Sequence, residues 1–95
     1  MRQLEVTLIT ATWVWIYEIP MPKAYVLINV ELDGGREVIE GLKAIEEVKE
    51  AYPLYGVYDI IASVEAGTEQ ELKDIIGQKI RSLDKVRSTM TMIAM

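Results

Sequence analysis

The side chains best able to do chemistry fall in two short stretches of the sequence: Tyr55-Gly56-Val57-Tyr58-Asp59, and the pair Thr89 and Thr91 close to its end. Read from residue types alone, the first stretch is a hairpin turn. Gly56 supplies positive φ and tyrosines commonly flank strands. Asp59 asks for more, because it precedes Ile60-Ile61-Ala62 and a carboxylate there must find a donor or sit at a rim. Thr89 and Thr91 share one side of an extended segment, where threonine is an ordinary β-former. Arg36, just after Gly34-Gly35, could clamp an anion with Asn29 as its partner, but sits more simply on a solvated first helical turn. The chain has no histidine and no cysteine. That removes imidazole bases, thiol nucleophiles, disulfides and zinc sites of the usual kind. Carboxylates are scattered on helix surfaces, so neither a metal nor another cofactor is expected.

These residues must be positioned by a small number of elements, since 95 residues make one compact domain. Residues 23–32 read as a strand and Asp33-Gly34-Gly35 as a turn. A helix follows to about Val48, with Val38, Leu42 and Ile45 on one stripe and Ile39 beside them. Within it, Gly41 weakens the helix or marks a close approach. Residues 48–55 and Tyr58–Glu65 read as strands on either side of Gly56. Thr68-Glu69-Gln70-Glu71 is a capping box opening a second helix. Its stripe is Leu72, Ile75, Ile76, Ile80 and Leu83, and Lys79, Arg81 and Lys85 close it as the helix dipole prefers. Val86–Met95 reads as a last strand. The order β-α-β-β-α-β is the ferredoxin-like split arrangement, an α+β fold with both helices on one side of a four-stranded antiparallel sheet.

Ahead of this domain, residues 4–19 are rich in β-branched and aromatic residues and read as one extra N-terminal strand, apolar on both parities. Pro20-Met21-Pro22 then acts as a linker. The division expected is therefore 1–22, a pairing arm and linker, and 23–95, the folded domain. Met21 could also be an alternative start. The uncharged run Val6–Tyr17 holds 12 residues. A bilayer span needs about 20, and neither a basic leader nor a cleavage site accompanies the run, so no membrane association is expected.

Lys and Arg total 10 against 15 Asp and Glu, a net charge of −5, with the cations scattered. A surface built to neutralise phosphates would cluster them, so direct nucleic-acid binding is not expected. The missing cysteines fit a cytoplasmic location.

Two helices cover one face of a sheet, and the other face should then alternate towards polar. Here it does not. The strand from Lys23 carries Ala24, Val26, Ile28 and Val30 on one parity and Tyr25 and Leu27 on the other. The last strand carries Met90, Met92 and Ala94 on one side and Ile93 and Met95 with the threonines on the other. A second copy packed sheet against sheet resolves this, giving a homodimer; the N-terminal strand folding back over the domain is the alternative.

In this order, YVLINVEL, VKEAYPLYGVYDIIASVEA, TEQELKDIIGQKIRSLDKVRST and the closing TMTMIAM resemble the effector-binding domain of the Lrp/AsnC (feast/famine) transcription regulators, from about Lys23 to Met95. The G-x-Y-D turn at Gly56–Asp59 and the V-R-S-T-x-T run at Val86–Thr91 carry the resemblance. It is closest to a stand-alone form of that domain, known as RAM, because residues 1–20 are too short and too strand-like for the family's helix-turn-helix. The resemblance implies a module that is not an enzyme. It would bind a free amino acid between neighbouring dimers of a ring, usually of four dimers, and modulate transcription through full-length relatives. Carried onto this sequence, the ligand site comprises Tyr55, Gly56, Tyr58, Asp59, Thr89 and Thr91. Backbone N–H groups at Gly56 and the Thr hydroxyls would serve a ligand carboxylate, Asp59 the ammonium, directly or by ordering the loop, and Tyr55 or Tyr58 would wall the side chain. A small ferredoxin-like-fold enzyme, an acylphosphatase-like hydrolase or a dimeric-barrel monooxygenase, is the rival reading. A purely structural oligomer is the third.

Overall fold

A computed structural model describes residues 2–7, 13–18 and 22–94. The elements are β1 (Arg2–Thr7), β2 (Trp13–Glu18), β3 (Lys23–Val30), α1 (Gly35–Lys43), β4 (Val48–Pro53), β5 (Ile60–Glu65), α2 (Glu69–Ile75) continued by a π-turn at Ile76–Ile80, and β6 (Val86–Ala94). From β3 onward this is the expected β-α-β-β-α-β order. The four strands form one sheet in the order β4-β5-β3-β6, every pair antiparallel.

The N-terminal region corrects the expectation of a single extra strand. Residues 2–7 and 13–18 are the two arms of an antiparallel hairpin, with Arg2 opposite Glu18, Leu4 opposite Ile16 and Val6 opposite Val14. Nothing in residues 8–12, Leu-Ile-Thr-Ala-Thr, carries the Gly, Pro, Asn or Asp that marks a reversal, so periodicity ran straight through it. Residues 8–12, Ile19, Pro20, Met21 and Met95, which entered the strand and linker readings, lie outside the described residues.

The core is made by alternation. Ala24, Val26 and Ile28 of β3 are buried, and so are their β5 partners Val64, Ala62 and Ile60. Val38 and Leu42 from α1 and Leu72, Ile75, Ile76 and Ile80 from the second helical segment close over them. Each large aliphatic side chain so buried contributes roughly 1.5–3 kcal/mol. Gly41 marks a close approach, since a Cβ there would stand 2.9 Å from Leu83 Cδ2.

Helix ends follow local chemistry. Helix α1 stops at Lys43, earlier than its apolar stripe predicts, because Ile45 N–H turns back to Leu42 O and Val48 N–H to Ile45 O in tight turns that launch β4. Thr68 caps α2, its hydroxyl accepting from Glu71 N–H at 3.1 Å. The Glu71 carboxylate reciprocates one residue earlier than the ideal box, accepting from Gly67 N–H at 3.0 Å. Among the described residues no helix is long and apolar enough to cross a membrane.

Candidate functional site

Leu54–Asp59 joins β4 to β5 and projects from the end of the sheet. Its neck is closed by Leu54 N–H donating to Asp59 O at 2.8 Å, and Asp59 N–H donates to Ile28 O at 3.0 Å. The register of β3 against β6 shifts between Asn29 and Val30, so the Val30 amide needs an acceptor from elsewhere. Asp59 Oδ2 provides it at 2.9 Å. Three strands therefore meet at this one residue. Above the neck, Gly56 has φ +139°, a conformation that side chains rarely adopt. Tyr55 and Val57 are almost wholly exposed. Tyr58 turns to the sheet face opposite the helices, where its hydroxyl lies 3.7 Å from Met90 Sδ. Asp59 also borders a cleft of about 350 Å³ with Asn29, Val57, Arg87 and Ser88. Asn29 Nδ2 there lies 3.5 Å from Ser88 Oγ.

The two threonines lie elsewhere. In register, Thr89 stands opposite Ile28 and Thr91 opposite Val26, which puts both on the helix-covered side of edge strand β6. Arg81, just past the π-turn, donates from Nε to Thr89 Oγ1 at 3.1 Å. Thr91 lines a cleft of about 270 Å³ between the second helical segment and β6, with Lys73, Ile76, Gly77, Arg81 and Ile93. Its hydroxyl oxygen is sealed from solvent and has no hydrogen-bond partner among the described residues. A buried polar group left this way costs about 1–3 kcal/mol.

Of the six residues singled out, the structure thus groups Tyr55, Gly56, Tyr58 and Asp59 on one loop and Thr89 and Thr91 at one edge. The cleft lined by Thr91 and the cleft lined by Asp59 are separate. Lys73, Gly77 and Arg81 escaped the sequence reading. The last was read only as a dipole partner, and its place beside the threonines depends on the length of the intervening turn. Arg36 is exposed on the first turn of α1, in keeping with the solvated reading. No group of three or more acidic side chains that could hold a metal occurs among the described residues.

The fold is that of a ferredoxin-like α+β ligand-binding domain. A family model, the Lrp/AsnC ligand binding domain, matches residues 23–95, and the chain belongs to that family. The regulatory protein AsnC of Haemophilus influenzae is 39% identical over 59 residues, 62% of this chain and 39% of that protein. The chain spans less than half the length of the curated regulators it matches. Homocitrate synthase of Saccharolobus islandicus is 35% identical over 79 residues, 80% of this chain but only 17% of the enzyme. Among solved structures, FFRP-DM1 superimposes with a TM-score of 0.76 at 44% identity, covering 79% of this chain and all of the other. A Neisseria meningitidis transcriptional regulator in complex with L-Met shares the fold, with a TM-score of 0.70 at 13% identity over 78% of this chain and 49% of that one.

Proposed function

We propose that this chain is an amino-acid-responsive regulatory module, acting by binding rather than by turnover. The cleft beside Thr91 takes the ligand, and the Leu54–Asp59 loop of a neighbouring copy completes it. The observation that carries this reading is the meeting in one cleft of the Thr91 side chain and Arg81, a cation in no ion pair among the described residues. Small-molecule sites run from roughly 300 Å³ upward, so 270 Å³ suits a metabolite of amino-acid size. A ligand carboxylate would take the guanidinium donors, and the Thr91 hydroxyl once that side chain rotates towards the cleft, while Asp59 from the neighbouring loop would accept from the ammonium. The split between loop residues and threonine edge within one chain is what a site shared by two copies requires.

Assembly has its own support. Tyr25, Tyr52, Met90 and Met92 are 38%, 54%, 48% and 48% exposed on the sheet face away from the helices. At about 25 cal/mol/Å², covering several hundred Å² there offers several kcal/mol towards a homodimer before association costs. Dimers joined through the ligand cleft would form a ring, of four dimers by analogy with the family. Ligand then favours one assembly by its differential affinity, about 2.7 kcal/mol at a concentration of 100 Kd. Full-length DNA-binding regulators of the family are the partners through which that shift would reach transcription.

Calorimetry and native mass spectrometry with each of the twenty amino acids test this. The expected result is saturable binding of at least one, a change in oligomer distribution, and loss of binding in Asp59→Ala. If no amino acid binds, the reading is wrong; if Asp59→Ala binds equally well, the loop has no part in the site.

A further inference from the structure

We infer that the Thr91 cleft selects an amino acid bearing a second carboxylate, the aspartate or glutamate class, and that Lys73 and Gly77 set this choice. The inference rests on the amino-acid reading of that cleft and adds the charge and size of the ligand side chain.

The chain carries 15 acidic and 10 basic residues, yet the cleft is lined by two cations and no acid. The sign is inverted locally. Arg81 spends one donor on Thr89, at Nε, and makes no ion pair among the described residues. A guanidinium has five N–H donors, so its terminal nitrogens remain for a carboxylate, beside the Thr91 hydroxyl. This accounts for the α-carboxylate of a ligand and leaves Lys73 unassigned.

Lys73 is held only loosely. Its partner Glu69 lies 3.4 Å away one turn earlier, and both side chains are more than half exposed. Pairs of this kind contribute roughly 0.3–0.5 kcal/mol, so the ammonium can turn to a ligand at little cost. Gly77, four residues on and on the same helical face, faces open space, because a Cβ built there meets nothing within 4 Å. Ile76 and Ile93 supply the apolar walls. A side chain leaving the Arg81–Thr91 end therefore crosses apolar surface and meets a single positive charge. A second carboxylate satisfies that charge, an amide does so weakly, and a lysine or arginine side chain is repelled.

Titration of the full chain with L-aspartate, L-glutamate, L-asparagine, L-glutamine, L-leucine and L-lysine tests the assignment. One of the two acids should bind at least about tenfold more tightly than its own amide, and lysine should bind least. Lys73→Gln should bring acid and amide within about twofold of each other, and Gly77→Leu, which fills the open space, should abolish binding with the fold retained by circular dichroism. Tightest binding of leucine, an amide or lysine, or an acid preference unmoved in Lys73→Gln, overturns the selectivity while leaving an amino-acid site in place. Binding unaffected by Gly77→Leu and by Thr91→Val, or no binding of any amino acid, overturns the selectivity and the cleft together.

Discussion

The two faces of the four-stranded sheet are built from alternate residues of the same strands, and they solve opposite problems. On the helix side Ala24, Val26 and Ile28 are fully buried and sealed by Leu42 and Leu72. On the far side their immediate neighbours Tyr25 and Leu27, with Met90 and Met92, remain partly or half exposed. The helix side holds small and branched aliphatics, whose shapes interlock within one chain. The far side holds flexible or amphipathic side chains, which tolerate water and can still be covered by a partner. Stability is thus concentrated on one side of a strand and interaction on the other. The Thr91 cleft sits on the stable side, at the β6 edge of the sheet.

The sharpest way to break this contrast is at the core. Leu42→Ala should lower the unfolding free energy by about 2–5 kcal/mol in urea titration, since Leu42 is wholly buried. Asp59→Ala should cost about 1–3 kcal/mol by orphaning the Val30 amide. Faster hydrogen exchange at Val30 would show that the loss is local to the loop neck, and an unchanged rate would refute that anchor. Thr91→Val should do the reverse in the absence of ligand, raising stability by about 1 kcal/mol as the orphaned hydroxyl is removed, while abolishing ligand binding. A thermal melt and a calorimetric titration of the same sample read both signs.

Met92→Glu should leave the stability of the single chain within about 0.5 kcal/mol, yet raise the dimer dissociation constant at least tenfold in sedimentation equilibrium. Equal destabilisation of the fold would erase the distinction between the faces. The smallest effect belongs to Glu47. Its own backbone N–H, and then Lys79 at 3.1 Å, hold its carboxyl below the usual carboxylate range. A depressed carboxylate contributes stability above its unfolded pKa and loses it as pH falls through the folded one. Lys79→Met should therefore slightly flatten the loss of stability as pH falls through the carboxylate range, and only slightly because the pair is exposed.

Most of the domain was legible because its signals are local. Alternation in β3, the stripe of Leu72, Ile76 and Ile80, and the Thr68–Glu71 box each lie within a dozen residues and speak for themselves. The division of the N-terminal region into two antiparallel strands was not, because the sequence between Thr7 and Trp13 carries no turn residue. The loop and the threonines were noticed as types, and Gly56 was placed by its conformation. Their separation within one chain was illegible, since it follows from the parity of β6 against β3, whose partners Thr89–Ile28 and Thr91–Val26 stand 61 and 65 residues apart in sequence. Lys73, Gly77 and Arg81 were hidden for a related reason: a π-turn at Ile76–Ile80 resets which helical residues look towards the edge.

Asp59 joins three strands at the root of a loop whose tip is apolar and bare. An arm clamped at its base keeps few of the conformations that a free loop of the same length would explore. Whatever receives Tyr55 and Val57 meets them already in place, so the entropy of ordering them has been spent during folding and is not charged again at the encounter.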